Sequence, residues 1–150
     1  MSIQLKKKRY YPVSRGLGSY LDHYQRSLEI PVVYEDMLRF SELFPLFDRE
    51  GNDTLWKTAR YEPAIREDLS EKLIRIYALL KTNDVRVSEH LHLERVDFCD
   101  FGNSRPFRVR IVNQYNDNYD HFYVKVADAS RIYGLELEHI LSPNRINYIV

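Results

Sequence analysis

Cysteine is nearly missing from this chain: Cys99 is the only one among 150 residues. That excludes an internal disulfide and any zinc site built on several thiolates. Glycine is scarce too, with 5 residues, and none of it falls into a P-loop or a dinucleotide-binding fingerprint. No stretch approaches the roughly 18–20 apolar residues of a membrane span. The N-terminus, Met-Ser-Ile-Gln-Leu, meets charged residues at once instead of an apolar signal segment. These absences predict a soluble protein of a reducing, cytoplasmic compartment with no membrane partner.

Net charge is absent as well, with 22 basic and 22 acidic residues, but the balance is uneven along the chain. Residues 1–15 carry Lys6, Lys7, Lys8, Arg9 and Arg15 and no acid, whereas 28–54 is rich in Asp and Glu. A basic arm on a mildly acidic body suits nucleic acid, an acidic protein surface, or a copy of the chain in a larger assembly or oligomer. Aromatics are plentiful, and Tyr alone supplies 12 residues. Tyr pairs a large apolar face with a polar tip, so it serves cores and interfaces equally. The arm ends in Tyr10 and Tyr11. Lys6, Lys7, Lys8 and Arg9 can neutralise phosphates while the rings stack on unpaired bases.

The organisation expected is a basic arm over 1–18 and one α+β domain over 19–150. Apolar spacing predicts helices over 19–28 and 34–44, the second carrying Met37, Phe40, Phe44 and Phe47 on one stripe. Asn52-Asp53-Thr54 offers cap chemistry for a short helix holding Leu55 and Trp56. A long helix over 63–81 opens at Pro63 and carries an Ile/Leu stripe. From residue 91 the period changes to two. Strands are expected near 91–99, with a bulge at Glu94–Arg95 where the alternation slips, then near 107–111 and 122–126. A helix capped by Asp128 and a final strand over 146–150 complete the pattern. The predicted fold is thus a helical N-terminal half on a small, mainly antiparallel sheet, with β-β-β-α-β order in the C-terminal half.

Arg108 and Arg110 share the polar face of one expected strand and extend the basic surface. With the arm residues Lys6 to Tyr11, they are the expected nucleic-acid or partner contacts of a non-catalytic binding protein or accessory subunit. His90 and His92, at i and i+2, share a strand face as metal-ligand pairs do. Nothing else in the sequence asks for a metal, and no catalytic residue, metal or cofactor is assigned.

The C-terminal half also contains Asp100-Phe-Gly-Asn-Ser-Arg105 between two strands, Lys125 on the third, and Glu136 and Glu138 on the following helix. This order resembles the N-terminal lobe of protein kinases and aminoglycoside-phosphotransferase-like enzymes. The resemblance implies a nucleotide-binding module in which Gly102 and Ser104 lie over phosphates, Lys125 contacts them, and Glu136 or Glu138 pairs with that lysine.

Overall fold

The computed structural model describes residues 9–82, 90–143 and 146–150. The chain divides into two compact units, one of Glu29–Val126 with Ile149 and one joining Met1–Leu28 to Ala127–Tyr148 and Val150.

The larger unit is a five-stranded antiparallel sheet in the order β1-β2-β3-β4-β5. Its strands are β1 (Glu42–Phe47), β2 (Asp53–Arg60), β3 (Leu91–Phe98), β4 (Phe107–Asn113) and β5 (Tyr119–Val124). In this unit the short helix α2 (Tyr34–Met37) precedes β1, and α3 (Pro63–Thr82) connects β2 to β3. Helix α3 buries Leu69, Leu73 and Ile76 against Leu93, Val96, Phe98, Phe107, Val109, Ile111 and Phe122. These strand residues alternate with polar ones, so one face of the sheet is core and the other is not.

This arrangement corrects the expected fold. The first half is not a helical layer, since β1 and β2 occupy residues 42–60. Helices are interspersed with one continuous five-strand sheet, and residues 146–150 form no strand. Met37, Phe40, Phe44 and Phe47 have helical spacing but do not share a face. Met37 is fully buried, while Phe44 and Phe47 are exposed. Pro45 is tolerated because β1 is an edge strand and needs no outward N–H. Around 48–54, Asx and Thr chemistry closes a hairpin instead of capping a helix. Asp48 Oδ1 accepts from the Glu50 and Asn52 amides at 2.9 Å each, and Thr54 Oγ1 donates to Leu46 O at 2.6 Å.

The bulge expected at Glu94–Arg95 is present: Leu93 opposes Ile111 but Arg95 opposes Arg110. Arg66 of α3 donates to the carbonyls of Leu93 and Glu94 at 3.3 and 3.1 Å, supplying partners where the ladder is interrupted. The extra residue turns Arg95 and Asp97 away from the core while Val96 and Phe98 enter it. A second irregularity lies between Pro45 and Phe47 opposite 53–57.

The smaller unit packs α1 (Arg15–His23) and α4 (Ala129–Leu141) around Leu17, Leu21, Ala129 and Ile132. Ser14 and Asp128 cap these helices, accepting from the Leu17 and Arg131 amides.

Leu55, within the second irregularity, has φ of 68° and a half-exposed side chain. A left-handed conformation costs an L-residue roughly 1–2 kcal/mol, a cost that glycine escapes. Leu55→Gly is expected to keep or raise the unfolding midpoint in urea. Leu55→Val, with a branched Cβ ill suited to this region, is expected to lose about 1 kcal/mol. A glycine variant less stable than the valine variant would contradict this.

Candidate functional site

On the face of the sheet away from α3, strand pairing sets Asp97 opposite Arg108, Arg95 opposite Arg110, Arg108 opposite Tyr123, and Arg110 opposite His121. Thr58 of β2 pairs with Asp97 from the other side. The register therefore sets three guanidiniums on one face with Asp97, beside His121 and Tyr123 of β5.

Asp97 is fully buried although it points away from the hydrophobic core. Its Oδ2 accepts from Arg108 Nη2 at 2.8 Å and Nε at 3.2 Å. Its Oδ1 lies 2.8 Å from Arg95 Nε and accepts from Thr58 Oγ1 at 3.3 Å. Glu94, the bulged residue, meets Arg110 Nε at 2.7 Å. The Nε contacts of Arg95 and Arg110 are ion pairs without hydrogen-bond alignment.

These contacts hold the guanidiniums over rings. Arg108 lies 4.4 Å from the Trp56 ring centroid, and Arg110 lies 3.7 Å from that of Tyr119. Trp56 and Tyr123 stand on β2 and β5, three strand spacings or about 14 Å apart. Their rings nevertheless approach to 6.3 Å, so both lean inward over β3 and β4. The result is an aromatic and cationic layer in which Tyr119 and Tyr123 remain more than half exposed. His121 sits within it, and its Nε2 is buried with no hydrogen-bond partner among the described residues. Burial and the charges of Arg108 and Arg110 hold its pKa below the ordinary histidine value.

Of the expected contacts, the structure brings Arg108 and Arg110 together on this layer. Lys6, Lys7 and Lys8 lie outside the described residues. Arg9, Tyr10 and Tyr11 belong to the smaller unit, where Arg9 lies over the Tyr11 ring at 5.1 Å. The Tyr11 backbone is tied down, its amide donating to Asp128 Oδ2 at 3.1 Å and its carbonyl accepting from the Ala129 amide at 2.9 Å. Tyr11 is thus fixed beside the start of α4. Trp56, Tyr119, Asp97 and Arg95 were not singled out as contacts by sequence reasoning. The alternation of Tyr119, His121 and Tyr123 is a local signal for Tyr119 alone; Trp56, Asp97 and Arg95 reach the site only through strand order and a bulged register.

The residues of the nucleotide-lobe resemblance are placed as follows. Gly102 and Ser104 lie exposed in the β3–β4 loop, with Gly102 at φ 88°. Lys125 follows the last residue of β5. Glu138 is exposed on α4, and Glu136 is buried there. Glu136 Oε1 accepts from the Tyr20 hydroxyl at 2.8 Å, Oε2 accepts from Arg26 Nε at 3.0 Å, and the Tyr148 hydroxyl donates to Oε2 as well. Of the histidine pair, His92 Nδ1 meets Gln114 Nε2 at 2.6 Å and His90 packs on the Tyr115 ring. Among the described residues no group of three or more His, Cys, Asp or Glu is arranged to hold a metal ion. None of their helices is long and apolar enough to cross a membrane.

Burial pushes the Glu136 carboxyl up, but the bonds from Tyr148, Arg26 and Tyr20, with the Arg26 charge, outweigh it and hold the pKa below the ordinary value. A depressed carboxyl stabilises the fold above its unfolded pKa, and that stabilisation is lost as pH falls through the folded value. Hydrogen exchange of α4 amides is therefore expected to show weaker protection in Glu136→Gln than in wild type at about pH 6.5. The two should converge near about pH 3. An equal gap at both pH values would contradict this account.

No family model, curated protein or solved structure matches the chain.

Proposed function

We propose that this chain is a non-catalytic binding protein or accessory subunit that holds nucleic acid through its basic-aromatic arm, Lys6 to Tyr11, and through Arg108 and Arg110. The observation that carries the reading is the seating of Arg108 and Arg110 on Trp56 and Tyr119, on a sheet face outside the core. A guanidinium seated over a ring keeps its charge while adding to the ring's contact surface. Bases complement flat π faces, whereas the carboxylates of an acidic protein do not, which favours nucleic acid over an acidic protein partner. In the smaller unit the anchoring of Tyr11 on Asp128 and Ala129 gives the cationic arm a fixed root.

The accessory-subunit part of the reading is supported by α4. Its Tyr133, Leu137, Ile140 and Leu141, at i, i+4, i+7 and i+8, are all more than half exposed. A cytoplasmic setting belongs to the same proposal and accords with the free thiol of Cys99.

Binding of labelled single-stranded RNA and DNA, followed over a range of salt concentrations, tests the proposal. Each phosphate neutralised on a single strand contributes about 0.7 to the slope of log affinity against log salt. Replacing Lys6, Lys7 and Lys8 together by Ala is expected to weaken binding to all sequences alike and to lower that slope by about 2. Unchanged affinity and slope in the triple variant would overturn the role of the arm.

A further inference from the structure

We propose that the sheet face away from α3 is a stacking platform for the unpaired bases of a single-stranded nucleic acid, with Trp56, Tyr119 and Tyr123 as its rings and Arg108 and Arg110 seated among them. The inference deepens the nucleic-acid reading and rests on it.

Charge determines what this face can recognise. Arg95, Arg108 and Arg110 stand against Asp97 and Glu94, so the cluster carries one unbalanced positive charge. Attraction for a phosphate backbone is correspondingly small. What the face offers instead is exposed ring surface: Tyr119 is 57% exposed and Tyr123 is 58% exposed. A duplex keeps its bases stacked on each other, so the ligand must present them unpaired. Tyr119 and Tyr123 lie four residues apart on one strand, about 13 Å, and give a bound strand two separate stacking points. Trp56 adjoins the second of these.

The platform is also ordered before any ligand arrives. Asp97, buried and bonded to Arg108, fixes the guanidinium that lies on Trp56. The irregularity at Leu55, with its left-handed backbone, sets the residue just before that ring. Side chains already held in place lose little freedom on binding.

Trp56 is the only tryptophan in the chain, so its fluorescence reports directly from the platform. The full chain is titrated with a short oligouridylate, a short oligothymidylate and an abasic strand of the same length. Fluorescence of Trp56 and anisotropy of the labelled strand are followed together. The base-bearing strands are expected to quench Trp56 and the abasic strand is not. Tyr123→Ala is expected to lower affinity for base-bearing strands about tenfold while leaving the abasic strand unaffected. Tyr119→Ala, at the second exposed ring, is expected to act in the same direction. Stronger quenching by the uridylate identifies RNA as the ligand, and stronger quenching by the thymidylate identifies DNA; either supports the platform. Equal quenching by the abasic strand overturns it, because charge alone would then explain binding. Anisotropy changes without quenching overturn the platform and leave binding by the arm intact. No anisotropy change with any strand removes both readings.

Discussion

Asp97 is a carboxylate buried completely on the side of the sheet that has no hydrophobic core, and the organisation of that face depends on it. Removing a carboxylate from water costs several kcal/mol, offset only when cations and donors surround it closely. Here two guanidiniums and a hydroxyl do so. Breaking such a pair from one side leaves an uncompensated buried charge, a loss of about 3–5 kcal/mol. The constraint runs outward from there. Arg108, held by Asp97, lies on Trp56; Trp56 leans toward Tyr123; and Arg110, held by Glu94, lies on Tyr119.

Backbone irregularities make this possible. Without the extra residue at Glu94, the alternation of β3 would send Arg95 into the core and Val96 out of it. The bulge reverses that from residue 95 onward, and Arg66 stabilises it from α3 by bonding two interrupted carbonyls. Near Trp56 the hairpin irregularity is accompanied by the left-handed Leu55. Bulges beside functional surfaces often re-aim side chains in this way. The core face, filled by Phe98, Phe107, Val109 and Phe122, provides the rigid support.

Local patterns were legible where one force dominated. The long apolar stripe of α3, the alternation in β4 and β5, the slip at Glu94 and the Asp128 cap can all be read from neighbouring residues. Residues 42–60 were not legible as strands, because Phe40, Phe44 and Phe47 repeat at helical spacing and Asn52-Asp53-Thr54 suits a cap as well as a turn. Only pairing between the two segments decides for the hairpin, and that is a non-local contact. For the candidate site, Arg108 and Arg110 were visible as the polar face of a strand. Their partners were not, since Trp56 reaches Arg108 only through the sheet order, and Asp97 faces Arg108 only through a bulged register. Glu136 illustrates the same limit, because Tyr20 and Arg26, which it bonds, lie 116 and 110 residues away.

The smaller unit uses the same device on a different scaffold, a carboxylate gathering groups distant in sequence, and it roots the basic arm at Tyr11. On the sheet face, Asp97 and Arg108 act as one unit. A double-mutant cycle of Asp97→Asn and Arg108→Gln, read by denaturant unfolding, measures that directly. A coupling energy on the order of 2 kcal/mol is expected. Effects that add to within about 0.3 kcal/mol would contradict it.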